Sequence, residues 1–486
     1  MKRYVLNILW LPVLFFMLSS CEGFLDTRPT NKVVAETAMQ TLYDANVAVN
    51  GLYKDMKYQD YYGGMMQLLG DQRGDNIQPR MMSTGWVQVY TLGYDSEATT
   101  YFSLWSRCYQ TIMRCNTLIE NLGKLEVSSA SDIAKKNDYL GQAHTVRALV
   151  YFDLARCYGY PYMKDNGASL GAVLIEELTG PNDSKQPRST VAATYALVLQ
   201  DISTALPLLS KLTNTGHFNY WAAKLLQARV YLYKGEWNNA YAAAKEVIDG
   251  SPYTLVSRDD YIQYWEKEGA SETILELFVS PQSGIDSDGG YVSYWHNLWH
   301  GAPSAGATLI PTLSWIDLIQ SEPGDIRAEF VRYDSQYDSS KPWFSKFPGN
   351  GGTNFRYNNP KLFRLAEAYL IAAEGALKGS GGAAVASGYL NTIRKRANPS
   401  VADVVATDDL IQIERRKELV GEGHRFFDQM RLGKPMVRLD GDGYNFAESV
   451  GCPGSVTWDY FKVVLPISHT ERKFYPELQQ NPGYTE

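Results

Sequence analysis

The chain has 486 residues, a formal net charge of −7, and 45% hydrophobic against 20% charged residues. That length supports one large domain or two to three ordinary ones, so burying a core is not limiting. The acidic balance excludes partners that need a dense Lys/Arg surface, and no nucleic-acid ligand is expected.

Lys2 and Arg3 form a short cationic head before an apolar run, Tyr4 to Leu18, that is interrupted by Pro12 and is short for a bilayer span. Small residues follow, which is the layout of a signal peptide over residues 1–20. Leu18-Ser19-Ser20-Cys21 resembles a bacterial lipobox, in which the Cys21 thiol takes a diacylglyceryl group and becomes the first residue of the mature chain, 21–486. One acyl chain holds a protein marginally, at about 0.8 kcal/mol per buried methylene, whereas several hold it durably. A soluble body on a lipid tether is expected, without a transmembrane segment.

Apolar residues then recur at spacings of three and four, which predicts helices over Met39–Met56, Tyr101–Asn121, Asn137–Cys157, Ala192–Leu209, Tyr220–Lys234 and Asn238–Ile248. Cys108 and Cys115 share one of them, separated by roughly 10 Å of axial rise, too far for a disulfide. With Cys157 and Cys452 they read as small core residues. Ala228, Tyr231, Gly235, Ala240, Ala244 and Pro252 fall at tetratricopeptide spacing, where small residues let two antiparallel helices approach; Lys224 stands where that repeat has tryptophan. A second helix pair is expected over Pro360–Lys378 and Ala384–Ala397, joined by Gly379-Ser380-Gly381-Gly382. Between them, about 251–352, short β-like runs such as Thr273–Val279 alternate with Gly, Pro, Ser and aromatic residues, a loop-rich insertion. The expected fold is mainly α, a helical-repeat scaffold (about 36–250 and 360–435) carrying that insertion. Tyrosine is abundant, 34 against 17 phenylalanines, with 11 tryptophans. An apolar ring with a polar tip suits a surface that meets something partly apolar and partly hydroxylated.

Four segments resemble the SusD/RagB-like family of outer-membrane nutrient-uptake lipoproteins. They are Cys21-Glu22-Gly23-Phe24-Leu25-Asp26; Ala143 to Leu154 ahead of Tyr158-Gly159; Glu414-Arg415-Arg416-Lys417-Glu418-Leu419 running on to Glu422-Gly423-His424-Arg425-Phe426-Phe427-Asp428 and Arg431; and Leu465-Pro466-Ile467 with Gln480-Asn481-Pro482-Gly483-Tyr484. The resemblance implies about four tetratricopeptide-like units, an outer-membrane surface location, and a SusC-like TonB-dependent transporter as partner, over which the lipoprotein closes. Gly421 departs from the pattern, where the family usually has a bulkier residue, and the Tyr158–Tyr162 turn lacks the usual Val-Pro ending.

A sugar offers an apolar C–H face and a rim of hydroxyls, so its receptor needs aromatic plates flanked by polar side chains. Two stretches supply both: Asp71 to Tyr94, with Asp71, Arg73, Trp86 and Tyr90, and Gly290 to His300, with Tyr291, Tyr294, Trp295 and Trp299. These are the candidate ligand contacts. His296 and His300 have the spacing of a zinc pair but no evident third ligand, and Asp286-Ser287-Asp288 and Asp440-Gly441-Asp442 lack a calcium loop's closing glutamate. No metal, cofactor or catalytic residue is expected. Glu422, His424 and Asp428 read as part of a solvated helical face that anchors Phe426 and Phe427. The expected role is therefore capture of oligosaccharides or polysaccharides for a transporter; the alternatives are peptide capture by the same architecture, a surface glycoside hydrolase, or a scaffold that binds only protein.

Overall fold

The computed structural model describes residues 39–79, 87–97, 103–177, 185–279, 309–334, 338–349, 358–438 and 453–484. Helix α1 (Leu42–Met56) opens on a capping box, in which the Thr41 hydroxyl accepts the Asp44 N–H and the Asp44 carboxylate accepts the Thr41 N–H. Its Ala45, Val49, Leu52 and Met56 enter the core. Helices α2 (Ser103–Lys124) and α3 (Ala130–Tyr158) pack on it and on each other. The α3 helix starts at a Ser129 cap, earlier than its apolar stripe, because Ala130 to Lys136 form a polar, largely exposed first stretch with no periodicity to read. Helix α4 (Val191–Ala205) stops short of the expected Leu209: Pro207 has no N–H to donate, so the hydrogen-bond ladder cannot run on through it.

Helices α5 (Tyr220–Lys234) and α6 (Trp237–Gly250) form the pair with tetratricopeptide spacing. Ala228, Ala240 and Ala244 are fully buried, and Gly235 turns the chain at φ +79°, the left-handed region glycine adopts without strain. Lys224, which replaces the repeat's tryptophan, reaches across to Glu246 at 3.1 Å. From α6 the array continues directly onto α7 (Leu365–Lys378) and α8 (Gly382–Ala397), so the described residues between 250 and 361 form a looped-out stretch beside a continuous helical stack. Helices α9 (Asp408–Glu418) and α10 (Arg425–Arg431) cap that end. The architecture is mainly helical, as the periodicity predicts.

The expected helix Pro360–Lys378 is two elements. Lys361–Arg364 is strand β6, antiparallel to β2 (Thr273–Glu276), and the helix begins only at Leu365. Pairing with a distant strand overrides local preference here, a tertiary effect invisible to periodicity. The other strands also form two-stranded antiparallel pairs: β1 (Ile77–Pro79) with β3 (Leu309–Pro311), β4 (Val331–Asp334) with β5 (Asp338–Phe344), and β7 (Met436–Val437) with β8 (Ser455–Val456). Cys108, Cys115 and Cys157 are buried, free thiols, and burial pushes Cys157 up to about 12. Cys21 and Cys452 lie outside the described residues, within which no helix is long and apolar enough to cross a membrane.

Candidate functional site

The Glu414–Asp428 run is not a solvated face. Glu414, Arg415, Lys417, Glu418, His424 and Asp428 are all buried, and their charges are spent on one another and on the looped-out segment. Glu418 meets Arg396 at 2.6 Å, Arg364 at 3.2 Å and Arg327 at 3.1 Å. Arg364 also holds Glu272 at 2.6 Å and Glu422 at 2.7 Å, Arg327 holds Glu414 at 2.7 Å, and Lys346 holds Glu422 at 2.7 Å. Glu272, Arg327 and Lys346 belong to the looped-out stretch, while Arg364, Arg396, Glu414 and Glu418 belong to the helical frame. The network therefore bolts the base of the loop-rich segment onto the scaffold. Gly421 follows from this packing: it sits at φ +81°, and a Cβ there would stand 2.8 Å from the Phe347 ring.

A second cluster joins Arg431 to Glu374 at 2.7 Å and to Asp428 at 2.8 Å, with Arg415 on Asp428 at 2.9 Å. Burial alone would raise the Glu374 carboxyl, but Arg431, helped by Lys378 and Arg415, outweighs it and holds it down to about 2. A depressed carboxylate contributes stability above its unfolded pKa near 4.5 and loses it as pH falls towards 2. At about 1.4 kcal/mol per unit the contribution is about 3 kcal/mol. Acid titration followed by circular dichroism should show Glu374→Gln shedding much of the wild type's stability loss between pH 4.5 and 2.

The residues considered for acid–base chemistry are engaged in the same structure. Glu422 and Asp428 are held ionised by arginine and lysine partners, and burial beside Arg229, Arg415, Arg156 and Arg364 keeps the His424 imidazole neutral. A catalytic acid or base must reach a substrate; His424 and Asp428 are buried, and the Glu422 carboxylate is taken up by Arg364 and Lys346.

Of the candidate ligand contacts, Asp71, Arg73 and Tyr90 come together, but inside the protein. Asp71 has no exposed surface and accepts the Gly423 N–H. Arg73, equally buried, donates to the carbonyls of Leu69 and Val463 at 2.7 and 3.1 Å and lies 4.1 Å from the Phe426 ring centre. Tyr90 is covered by the Arg438 guanidinium, 4.0 Å from its ring centre. They seal the junction between the Leu68–Gln72 π-turn and the C-terminal third, and a ligand cannot touch them without opening it. Burial, partly offset by the Gly423 N–H and Lys346, pushes the Asp71 carboxyl up to about 7. A raised carboxyl contributes stability that is full below its unfolded pKa and lost as pH rises towards 7. Asp71→Asn should therefore be about 1–2 kcal/mol more stable than the wild type at pH 8 and show no decline between pH 4 and 7, by urea unfolding.

Trp86, Tyr291, Tyr294, Trp295 and Trp299 lie outside the described residues. What is described is where their segments begin and end. Pro79, the last residue of β1, pairs with Leu309, the first of β3. The residue that precedes 80–86 and the residue that follows 280–308 are therefore cross-strand neighbours. Thr312 ties that strand pair to the scaffold, donating its hydroxyl to the Asp75 carbonyl at 2.8 Å.

Sequence reasoning missed a small aromatic cleft lined by Arg156, Tyr160, Tyr162, Tyr195, Tyr233 and Phe427, among others. Tyr162 and Tyr195 have ring centres 5.2 Å apart, and the buried Tyr233 hydroxyl has no hydrogen-bond partner among the described residues. The signal was the Tyr160-Pro161-Tyr162 turn, read only as packing.

Two family models match, one described as "Starch-binding associating with outer membrane" over residues 23–232 and one described as the SusD family over 331–484. A crystal structure of a SusD superfamily protein from Bacteroides vulgatus is 35% identical, covering 92% of this chain and 100% of that one, with a TM-score of 0.84. The chain belongs to the SusD family. A SusD-like protein of Formosa agariphila is 25% identical, with 96% of each chain covered. A laminarin-binding SusD-like protein shares the fold at a TM-score of 0.74 and 23% identity, covering 92% of this chain and all of its own. In this SusD-family chain, the Glu414–Asp428 segment that carries much of the resemblance is the buried charge network, a framework and not a binding surface.

Proposed function

We propose that this protein is a lipid-anchored outer-membrane receptor, tethered through Cys21, that captures oligosaccharides or polysaccharides and delivers them to a SusC-like TonB-dependent transporter. It performs no reaction. The observation that supports the reading is the family match, whose model is described as starch-binding, together with the Pro79–Leu309 pairing, which makes neighbours of the residue before 80–86 and the residue after 280–308. Trp86, Tyr291, Tyr294, Trp295 and Trp299 are the proposed plates. Asp71, Arg73 and Tyr90 then contribute by holding the base of the site.

A ring that buries roughly 100 Å² of apolar surface contributes on the order of 2.5 kcal/mol gross. Two or three rings, less the cost of ordering a flexible glycan, give affinities in the micromolar to millimolar range. Weak capture suits a relay. The test is migration in native gels cast with starch or laminarin. The wild type should be retarded, and Trp86→Ala and Trp295→Ala should each weaken retardation about tenfold or more in apparent affinity, for a loss near 1.4 kcal/mol. If both leave it unchanged while Tyr162→Ala abolishes it, the ligand sits in the tyrosine cleft instead.

A further inference from the structure

Next to the start of β1 is a small cavity of about 10 Å³, room for one water-sized particle, lined by Asn76, Gln412, Arg415, Arg416, His424 and Asp428, with Leu419 and Val420 among its other walls. Three of its side chains are more than nine-tenths buried and carry an atom with no hydrogen-bond partner among the described residues: Asn76 Nδ2, Arg415 Nη1 and His424 Nδ1. Buried donors are ordinarily satisfied, and three orphans on one cavity call for a common partner.

The chemistry of those atoms specifies that partner. The Asn76 amide is oriented by its neighbour, since its Oδ1 accepts from Arg416 Nε, leaving the NH₂ for the cavity. Arg415 spends Nε and Nη2 on Asp428, so Nη1 is the edge that remains, and a guanidinium can only donate. A neutral imidazole can place its proton on Nδ1. All three are therefore available as donors. Around them, among the described residues, four guanidiniums (Arg415, Arg416, Arg425, Arg431) face three carboxylates (Asp75, Asp428, Glu374), so positive charge predominates in the cluster.

We propose that this cavity binds a small monovalent anion of halide size, held by Asn76 Nδ2, Arg415 Nη1 and His424 Nδ1. Water is the poorer occupant. It brings two protons of its own, and three acceptors in the wall already receive donors: the Asp428 carboxylate from Arg415 and Arg431, the Val420 carbonyl from Lys346, and the Leu419 carbonyl from the Glu422 N–H. An anion brings no proton and answers the excess charge. The lowered basicity of His424, due first to burial and then to nearby arginines, Arg415 among them, keeps its imidazole neutral beside the cavity. Asn76 immediately precedes β1, so the bound ion braces the strand from which residues 80–86 depart.

Crystals of the mature chain soaked in sodium bromide and measured at the bromine edge test this directly. An anomalous peak within hydrogen-bond reach of Asn76 Nδ2 and Arg415 Nη1 is expected; a site holding only water overturns the proposal. In solution the wild type should melt higher in sodium chloride than in sodium gluconate at equal ionic strength. Asn76→Asp keeps the acceptor for Arg416 and offers its own negative oxygen to Arg415. It should lose the chloride increment and melt no lower than the wild type in gluconate. Equal wild-type midpoints in the two salts, or an Asn76→Asp protein that retains the increment, contradicts the assignment.

Discussion

Glu418→Ala is expected to lower folding stability by about 3–5 kcal/mol, measured as a fall in the urea midpoint at unchanged slope. The Glu418 carboxylate is fully buried and takes Arg327, Arg364 and Arg396 together, with the Tyr261 hydroxyl donating to it at 3.1 Å. Its removal leaves three guanidiniums in a low-dielectric interior with one carboxylate fewer, and that desolvation is the source of the loss. The comparison is Glu120→Ala, which breaks an exposed (i, i+4) pair with Lys124 and should change stability by about 0.5 kcal/mol or less. Because Glu418 joins helix α9 to Arg327 of the looped-out stretch, its loss should also raise protease cutting within residues 280–308 before the helical frame unfolds.

Gly70→Ala is expected to be as damaging, costing more than about 3 kcal/mol or preventing folding altogether. A Cβ at residue 70 would lie 1.9 Å from the Gly423 carbonyl oxygen and 2.5 Å from its Cα, both backbone atoms that cannot step aside. Gly51→Ala, in α1 with nothing within 4 Å of the added carbon, should instead stabilise by about 0.5–1 kcal/mol, since alanine loses less backbone freedom in a helix. Parallel thermal melts of the two variants would separate a packing requirement from a general intolerance of side chains. The Gly70–Gly423 contact is also where Asp71 and Arg73 are locked in, so a shift there should weaken glycan retention as well as stability.

The helical stack was legible because each of its members carries an apolar face at helical spacing: Leu42 to Met56, Tyr220 to Lys234 and Ala240 to Val247 all bury the stripe their sequence shows. The limits came from three kinds of information that a local pattern does not contain. Lys361–Arg364 became a strand because Thr273–Glu276, about ninety residues away, pairs with it. The Glu414–Asp428 run looked solvated because charged residues usually are; only the arrival of Arg327, Lys346, Arg364 and Arg396 from elsewhere in the chain makes burying it tolerable. Asp71, Arg73 and Tyr90 looked like ligand contacts because polar and aromatic residues mix in an aperiodic stretch, a composition that a buried, hydrogen-bonded junction shares. The remaining candidate rings, Trp86 and the four between Tyr291 and Trp299, lie outside the described residues, and the Pro79–Leu309 pairing makes neighbours of the residue before 80–86 and the residue after 280–308.

The central claim is that the protein holds a glycan without altering it. Titrating the mature chain with starch and laminarin oligosaccharides while following tryptophan fluorescence, and assaying the same mixtures for reducing ends, tests it most directly. Saturable quenching at micromolar to millimolar concentration for at least one glycan, with no new reducing ends, is the expected result. No saturable response to any polysaccharide, or the steady release of reducing ends, would contradict it.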